Sequence, residues 1–545
     1  MTEVITLGHI RGPRVQQQMH FMRVNLHVAP WRIARLYPVL NKCQFSTTPT
    51  KAKSVHPSTP ARTRFAPSPT GFLHLGSLRT ALYNYLLAKN SGGQFILRIE
   101  DTDQKRTVAG AEESIFDALQ WCGLEIDESP RHGGPYGPYR QSERKEIYHK
   151  YAQQLLDKGL AYKCFCPKER LLELRESAMK LKPPTNVTYD RKCFHAHQQQ
   201  QEEKETNCGG DYVIRFKSPY NYPKFNDLLH GDVDIQPQYN ARDQRFDDFV
   251  IVKADGMPTY HFSNVVDDHV MKITHVIRGE EWLASTPKHV ALYNAFGWDH
   301  PEFVHIPLLT SLEDRKLSKR KGDFDILQLR KSGILPSALL NFVALFGWAP
   351  VRKLNEKTSE VLDLDALVKS FSLDHLTKGN AKVSESKLQF FQKEHFKKFT
   401  STPANVEKLA DGYFEEFQKY SNGKTMQYLK DLIVSLAPNM HQVSDIGRDH
   451  RYLFADVSYD SVKPPKNKKI SRLILNSIVK NGFSLAQEQL LANGSGIQKK
   501  DVFTTIRSAL SGGKPGLPIN DLIKFLGEKE SMRRVEKYLH TIEAR

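Results

Sequence analysis

A chain of 545 residues has the length for roughly two to four domains with sizeable cores. Its 78 Lys and Arg outnumber its 61 Asp and Glu, and the net charge of +17 suits a protein that meets a polyanion. No apolar run reaches the roughly 20 residues that span a bilayer, and six cysteines in this length argue for reduced thiols or a metal rather than a disulfide framework.

Residues 1–60 are rich in Arg, Ser, Thr and Gln. The first 63 residues hold nine Lys and Arg against one acid, Glu3, so the remainder of the chain still carries +9. The segment mixes apolar and basic residues without the uninterrupted apolar stretch of a secretory signal. It resembles a mitochondrial transit peptide, with a disordered basic tail as the alternative.

Arg64–Ala66 reads as the end of a short buried strand. Pro67, Pro69 and Gly71 then impose a tight turn. From about Ser77 the apolar residues Leu78, Ala81, Leu82, Tyr85 and Leu86 recur at helical spacing, predicting a helix that buries one face. Strand, turn and helix together have the geometry of an anion site, because unpaired N–H groups and the positive helix end face the turn; the alternative is the ordinary turn of any α/β protein. QFILRIEDTD (94–103) is an apolar strand ending in acids, which places Glu100 where a cationic group would bind. A helix is expected around Glu112–Cys122, continuing an α/β pattern.

Residues 164–249 break that pattern and read as an insertion between two halves of a nucleotide-binding sheet. Cys164-x-Cys166 is followed after 26 residues by Cys193-x-His195. Two short pairs of soft ligands fit tetrahedral zinc, or two unliganded pairs. Beyond the insertion, FVIVK is a strand and Ala254-Asp255-Gly256 a hairpin turn. Pro258–Phe262 is expected as a second strand, Asn264–Val270 as a helix, and Ile273–Arg278 and His305–Leu309 as strands. Arg278 and Arg64 each offer a planar fork that matches a carboxylate. KLSKRK (316–321) alone is a basic loop. Residues 331–375 are apolar and helical, and helical patterns then continue to the C-terminus.

Two of these stretches carry a family resemblance. P-S-P-T-G-x-x-H-x-G (67–76) resembles the first signature of class I aminoacyl-tRNA synthetases in its glutamyl form, and Lys316-Leu317-Ser318-Lys319-Arg320, beginning 240 residues beyond Gly76, resembles the second. The general first signature ends in a second histidine, where this chain has Ser77; glutamyl enzymes commonly lack it. The likeness runs from Arg64 to Trp348 and continues more weakly to the C-terminus.

The resemblance implies an α/β fold: a Rossmann-like parallel sheet with an inserted acceptor-end domain, then an all-α anticodon-binding region. The expected divisions are 1–60 (transit peptide), 61–163 and 250–330 (catalytic halves), 164–249 (insertion), 331–375 (stem contact) and 376–545 (anticodon binding). It implies glutamate binding by Arg64, Ala66, Ser68, Glu100, Tyr260, His261, Asn264 and Arg278, with Arg64 the first candidate for the side-chain carboxylate. ATP would meet His74, Gly76, Glu281, Leu309, Lys316, Leu317, Ser318, Lys319 and Arg320. Of these, His74, Lys316, Ser318 and Lys319 are the expected catalytic set, with Mg²⁺ assisting. Some bacterial relatives bind zinc through a set like Cys164, Cys166, Cys193 and His195. The implied partners are glutamate and tRNA-Glu, for a monomer of the mitochondrial matrix with no membrane contact. Asn439 lies near the position at which strict bacterial enzymes use an arginine to reject one anticodon base, which opens tRNA-Gln as a second acceptor. Glutaminyl enzymes, and the truncated relative that glutamylates a modified base, fit less well because of the PSPTG form and the long helical tail.

Overall fold

The computed structural model describes residues 54–198, 211–240, 242–310, 325–350, 360–379, 381–460, 462, 464–484 and 497–544. The expected transit peptide lies almost wholly outside them, and Lys316, Leu317, Ser318, Lys319 and Arg320 lie outside them entirely.

Strand β1 (Arg62–Phe65) is followed by the Pro/Gly turn and helix α1 (Leu75–Asn90), and the chain returns as β2 (Gln94–Leu97), parallel to β1. Helix α2 (Ala111–Trp121) and helix α3 (Lys145–Asp157) follow. Next come β3 (Ala161–Cys164), α4 (Lys168–Lys180), α5 (Lys192–Gln198), β4 (Val213–Phe216), β5 (Phe225–Asp227), β6 (Gly231–Val233) and β7 (Val250–Val252). Then α6 (Tyr260–Val270), β8 (His275–Gly279), α7 (Thr286–Phe296), β9 (Glu302–Ile306) and β10 (Leu309–Thr310) lead toward the basic loop.

The main sheet has the order β2-β1-β8-β9-β5-β6, parallel except for the β5–β6 hairpin. From β1 the chain leaves for β2 on one side and, much later, for β8 on the other. That reversal opens a crevice at the carboxyl ends of the strands, where α/β sheets bind ligands. Both faces of the sheet are buried, Phe95, Leu97, Ile277, Val304 and Ile306 in one apolar cluster and Ile96, Val276 and Phe303 in another.

Four expectations are corrected. Pro258–Phe262 is not a strand: Pro258 makes one bridge to Val252 across the Asp255-Gly256 turn, and α6 starts at Tyr260. The strand expected at His305–Leu309 ends at Ile306, because Pro307 has no N–H to continue the ladder; Leu309–Thr310 pairs instead with Ala381–Lys382. Phe225–Asp227 and Gly231–Val233, expected inside the insertion, extend the main sheet, whereas Val250–Val252 completes the insertion's own antiparallel sheet β3-β4-β7. Finally, α1 buries more than one face. Its outer side meets the helix Pro336–Ala344, where Tyr83 Oη donates to Ala344 O at 3.0 Å and Phe346 O at 2.7 Å.

The C-terminal helices enclose a second core around Leu432, Ile433, Ile474, Ile506 and Leu522. The helix Glu385–Phe399 packs on Pro336–Ala344, and His395 Nε2 meets Asn341 Oδ1 at 2.9 Å within that contact.

Candidate active site

The ends of β1, β2 and β8, with the first turn of α6, border a cavity of about 390 Å³. Arg64, Ala66, Ser68, Glu100, Tyr260, Asn264, Arg278 and Glu281 all line it. Tyr260 and Asn264 reach it together because i and i+4 share a helix face. His261, about 100° further round the helix, does not line it and faces His289, with Nδ1 3.0 Å from His289 Nε2. His74 and Gly76 flank the cavity without lining it, whereas Ser77 of the same turn does. His74 caps α1, its Nδ1 accepting from the Ser77 N–H at 3.3 Å, and Ser77 Oγ lies 3.0 Å from His74 Nε2. Leu309 is buried on β10, away from the lining.

A buried charged layer forms the floor of the cavity and continues beneath it. Arg98, 0 % exposed, donates to Asp268 Oδ1 at 2.7 Å and Glu100 Oε1 at 3.1 Å. Arg64 Nε donates to Asp268 Oδ1 at 3.1 Å. Arg144 Nε donates to Asp267 Oδ1 at 2.7 Å, and Tyr148 Oη and Gln141 Nε2 each reach Asp267 Oδ2 at 2.8 Å. Burial pushes the Asp268 carboxyl up, but Arg64 and Arg98 outweigh it and hold the group below its usual range. Burial wins at Glu100, whose carboxyl sits above its ordinary value despite Arg98 and Arg64. Such a layer is stable only while every charge stays paired.

Arg278 is treated differently. It is 5 % exposed, yet its hydrogen-bond partners among the described residues are all neutral. Nε donates to His305 Nε2 at 3.0 Å, Nη1 reaches Tyr260 Oη and His289 Nδ1, both at 3.3 Å, and Nη2 donates to Thr286 Oγ1 at 2.8 Å. Burial holds His305 down at about 4 and His289 well below its ordinary value, so both rings are uncharged acceptors. A buried guanidinium without a carboxylate beside it attracts an anionic ligand. Tyr260 packs against Trp282, the rings tilted by 33° with centroids 4.1 Å apart, and walls that side. At Gly279 any Cβ would collide with the Glu281 carboxylate, so glycine lets Glu281 fold back over the strand end.

Sequence reasoning missed Arg98, Asp268, His289 and His305. Arg98 left a signal, a charge within an apolar strand; the histidines left none, being brought to Arg278 only by the fold.

In the insertion, the sulfurs of Cys164, Cys166 and Cys193 lie within 4.8 Å of one another. The Tyr189 hydroxyl is 3.3 Å from Cys164 Sγ and 3.4 Å from Cys166 Sγ. The thiols share hydrogen bonds, chiefly between Cys164 and Cys166 and with Cys193, which push the Cys164 thiol down and the Cys166 thiol up. Three clustered thiols fit three corners of a tetrahedral zinc site. His195 does not join them: α5 starts at Lys192, so a residue two beyond Cys193 points to the opposite side, and His195 is exposed.

Comparison with known proteins gives consistent matches. The family described as tRNA synthetases class I (E and Q), catalytic domain, matches residues 60–390, and an anticodon binding domain matches residues 407–539. The chain is 48% identical over 505 residues to the mitochondrial glutamate–tRNA ligase of Saccharomyces cerevisiae, covering 90% of this chain and 92% of that one. It is 40% identical to the glutamate–tRNA ligase of Clostridioides difficile, covering 87% and 98%. A crystal structure of a glutamate tRNA ligase from Elizabethkingia meningosepticum, in complex with its amino acid, superposes with a TM-score of 0.72 at 35% identity, covering 89% of this chain and 100% of that chain.

Proposed function

The chain belongs to the class I tRNA synthetases of the glutamate and glutamine branch and has the activity of a glutamate–tRNA ligase, and we propose that it acts in the mitochondrial matrix with Arg278 as the anchor of the glutamate side chain. One observation carries that assignment: Arg278 is buried among four neutral partners in a cavity it shares with Arg64 and Glu100.

In the reading we favour, Arg278 and Arg64 grip the side-chain carboxylate and Glu100 faces the ammonium group. The glutamate α-carboxylate attacks the α-phosphate of ATP, forming glutamyl-adenylate and releasing pyrophosphate. The terminal ribose hydroxyl of tRNA then attacks the activated carbonyl, and AMP leaves. Neither step calls for a protein nucleophile. Positioning and charge stabilisation suffice. We assign charge stabilisation on the phosphates to His74, at the positive end of α1, and to Lys316, Ser318 and Lys319. Gly76, Glu281, Leu309, Leu317 and Arg320 are proposed to border the nucleotide. Mg²⁺, arriving with ATP, would neutralise part of the triphosphate charge. Zinc would be held by Cys164, Cys166 and Cys193 and would brace the insertion.

We also propose that tRNA-Gln is a second acceptor. Asn439 is exposed and donates to Gly516 O at 3.3 Å, an amide where the resemblance places a discriminating arginine. Charging of the two organellar tRNAs with radiolabelled glutamate tests both readings. ATP-dependent charging of both supports them, charging of tRNA-Glu alone removes the second, and charging of neither overturns the first.

A further inference from the structure

A guanidinium has hydrogen-bond donors and no acceptor. Arg278 Nε lies 3.0 Å from His305 Nε2, so that ring nitrogen must present its lone pair, and the ring proton resides on Nδ1. Nδ1 lies 2.7 Å from Asp227 Oδ2, with both side chains 0 % exposed. Asp227 comes from β5, the strand that pairs with β9 at Phe303. Its carboxylate is itself fixed by backbone: Oδ1 accepts from the N–H groups of Leu229 at 3.0 Å and His230 at 2.8 Å, and Oδ2 from that of His305 at 3.1 Å. The carboxylate therefore cannot turn away from the ring.

We propose that Asp227 is a positioning residue for glutamate selection: by accepting the Nδ1 proton of His305 it holds the ring in the one tautomer whose Nε2 can receive Arg278, and so aims the guanidinium into the cavity. Asp227 does not border the cavity and touches no substrate. The proposal rests on the reading of that cavity as the glutamate pocket. A carboxylate at position 227 only accepts, whereas an amide also donates. In an Asp227→Asn enzyme the amide would offer N–H to Nδ1 and favour the other tautomer, leaving His305 Nε2–H facing Arg278 Nε–H. Two donors cannot share that distance, and the guanidinium loses its aim.

Steady-state charging by the full chain reads this directly. Asp227→Asn should raise the KM for glutamate by about tenfold or more, with the KM values for ATP and tRNA changing by less than about threefold. Discrimination against glutamine should fall as well. An unchanged glutamate KM, or a common rise in all three constants, overturns the proposal. The wild-type protein provides a measurement that does not depend on the variant folding. With ¹⁵N-labelled histidine, and His305 assigned by its loss in His305→Gln, the ring should be neutral and protonated at Nδ1 between about pH 6.5 and 8. A ring protonated at Nε2, or at both nitrogens, overturns the proposal. If Arg278→Gln leaves the glutamate KM unchanged, the pocket reading fails and this proposal with it. If Arg278→Gln raises it and Asp227→Asn does not, only the role of Asp227 falls.

Discussion

Arg64 donates Nε–H to Asp268 Oδ1 across 3.1 Å and reaches Oδ2 of the same carboxylate with Nη2 at 3.4 Å. One of the guanidiniums lining the cavity is thus already neutralised from below. Arg64→Ala leaves Asp268 buried with Arg98 as its remaining cation. Breaking a buried pair costs about 3 kcal/mol or more, so the thermal midpoint should fall by several degrees together with a moderate rise in glutamate KM. An unshifted midpoint would show that Asp268 does not depend on Arg64.

Lys319 belongs to the second signature, and its proposed work is transition-state charge on the phosphates. Removing one preorganised donor costs about 2.7–4 kcal/mol of barrier. Lys319→Ala should accordingly lower kcat by about 10²- to 10³-fold and leave the glutamate KM nearly as it was. Unchanged aminoacylation kinetics would remove Lys319 from the mechanism.

Acid should unfold the protein through its buried histidines. Burial holds His261, His275, His305 and His395 at about 4, below the ordinary 6.5. In that window the unfolded chain binds protons that the native chain refuses, so stability rises with pH. It is full above about 6.5 and is lost progressively as pH falls toward 4. Each such ring withdraws up to about 3 kcal/mol across the window. Thermal midpoints measured from pH 7.5 down to 4.5 should fall steadily; a flat profile above pH 5 would contradict the neutral-histidine assignment.

The insertion makes a sharper statement about metal than sequence spacing does. We expect elemental analysis of the purified full chain to find zinc. His195→Ala should retain it, because that side chain is exposed and apart from the thiols, and Cys166→Ser should lose it. Loss of metal in His195→Ala, with retention in Cys166→Ser, would reverse the ligand assignment.

What could be read before the fold was known followed local punctuation. Pro67, Pro69 and Gly71 end β1, and apolar spacing announces α1, so the strand, turn and helix were legible from residues 64–89 alone. Pro258–Phe262 misled because its apolar residues alternate. Tyr260 and Asn264 share a face only once the helix starts at Tyr260. Partners distant in the chain had no local signature. Asp227 meets His305 through parallel strand pairing across 78 residues, and the outer face of α1 is covered by a helix 250 residues further on. His195 matched a ligand spacing, but spacing does not say which way a helix turns its side chains.

The central claim is that the neutral cradle of Arg278 exists to receive the glutamate carboxylate. Glutamate and ATP KM values for Arg278→Gln, measured by tRNA charging, test it most directly. The glutamate KM should rise by about 10- to 100-fold, the worth of a lost charge-assisted hydrogen bond, with the ATP KM little changed. Equal losses for both substrates, or an unaltered glutamate KM, would contradict it.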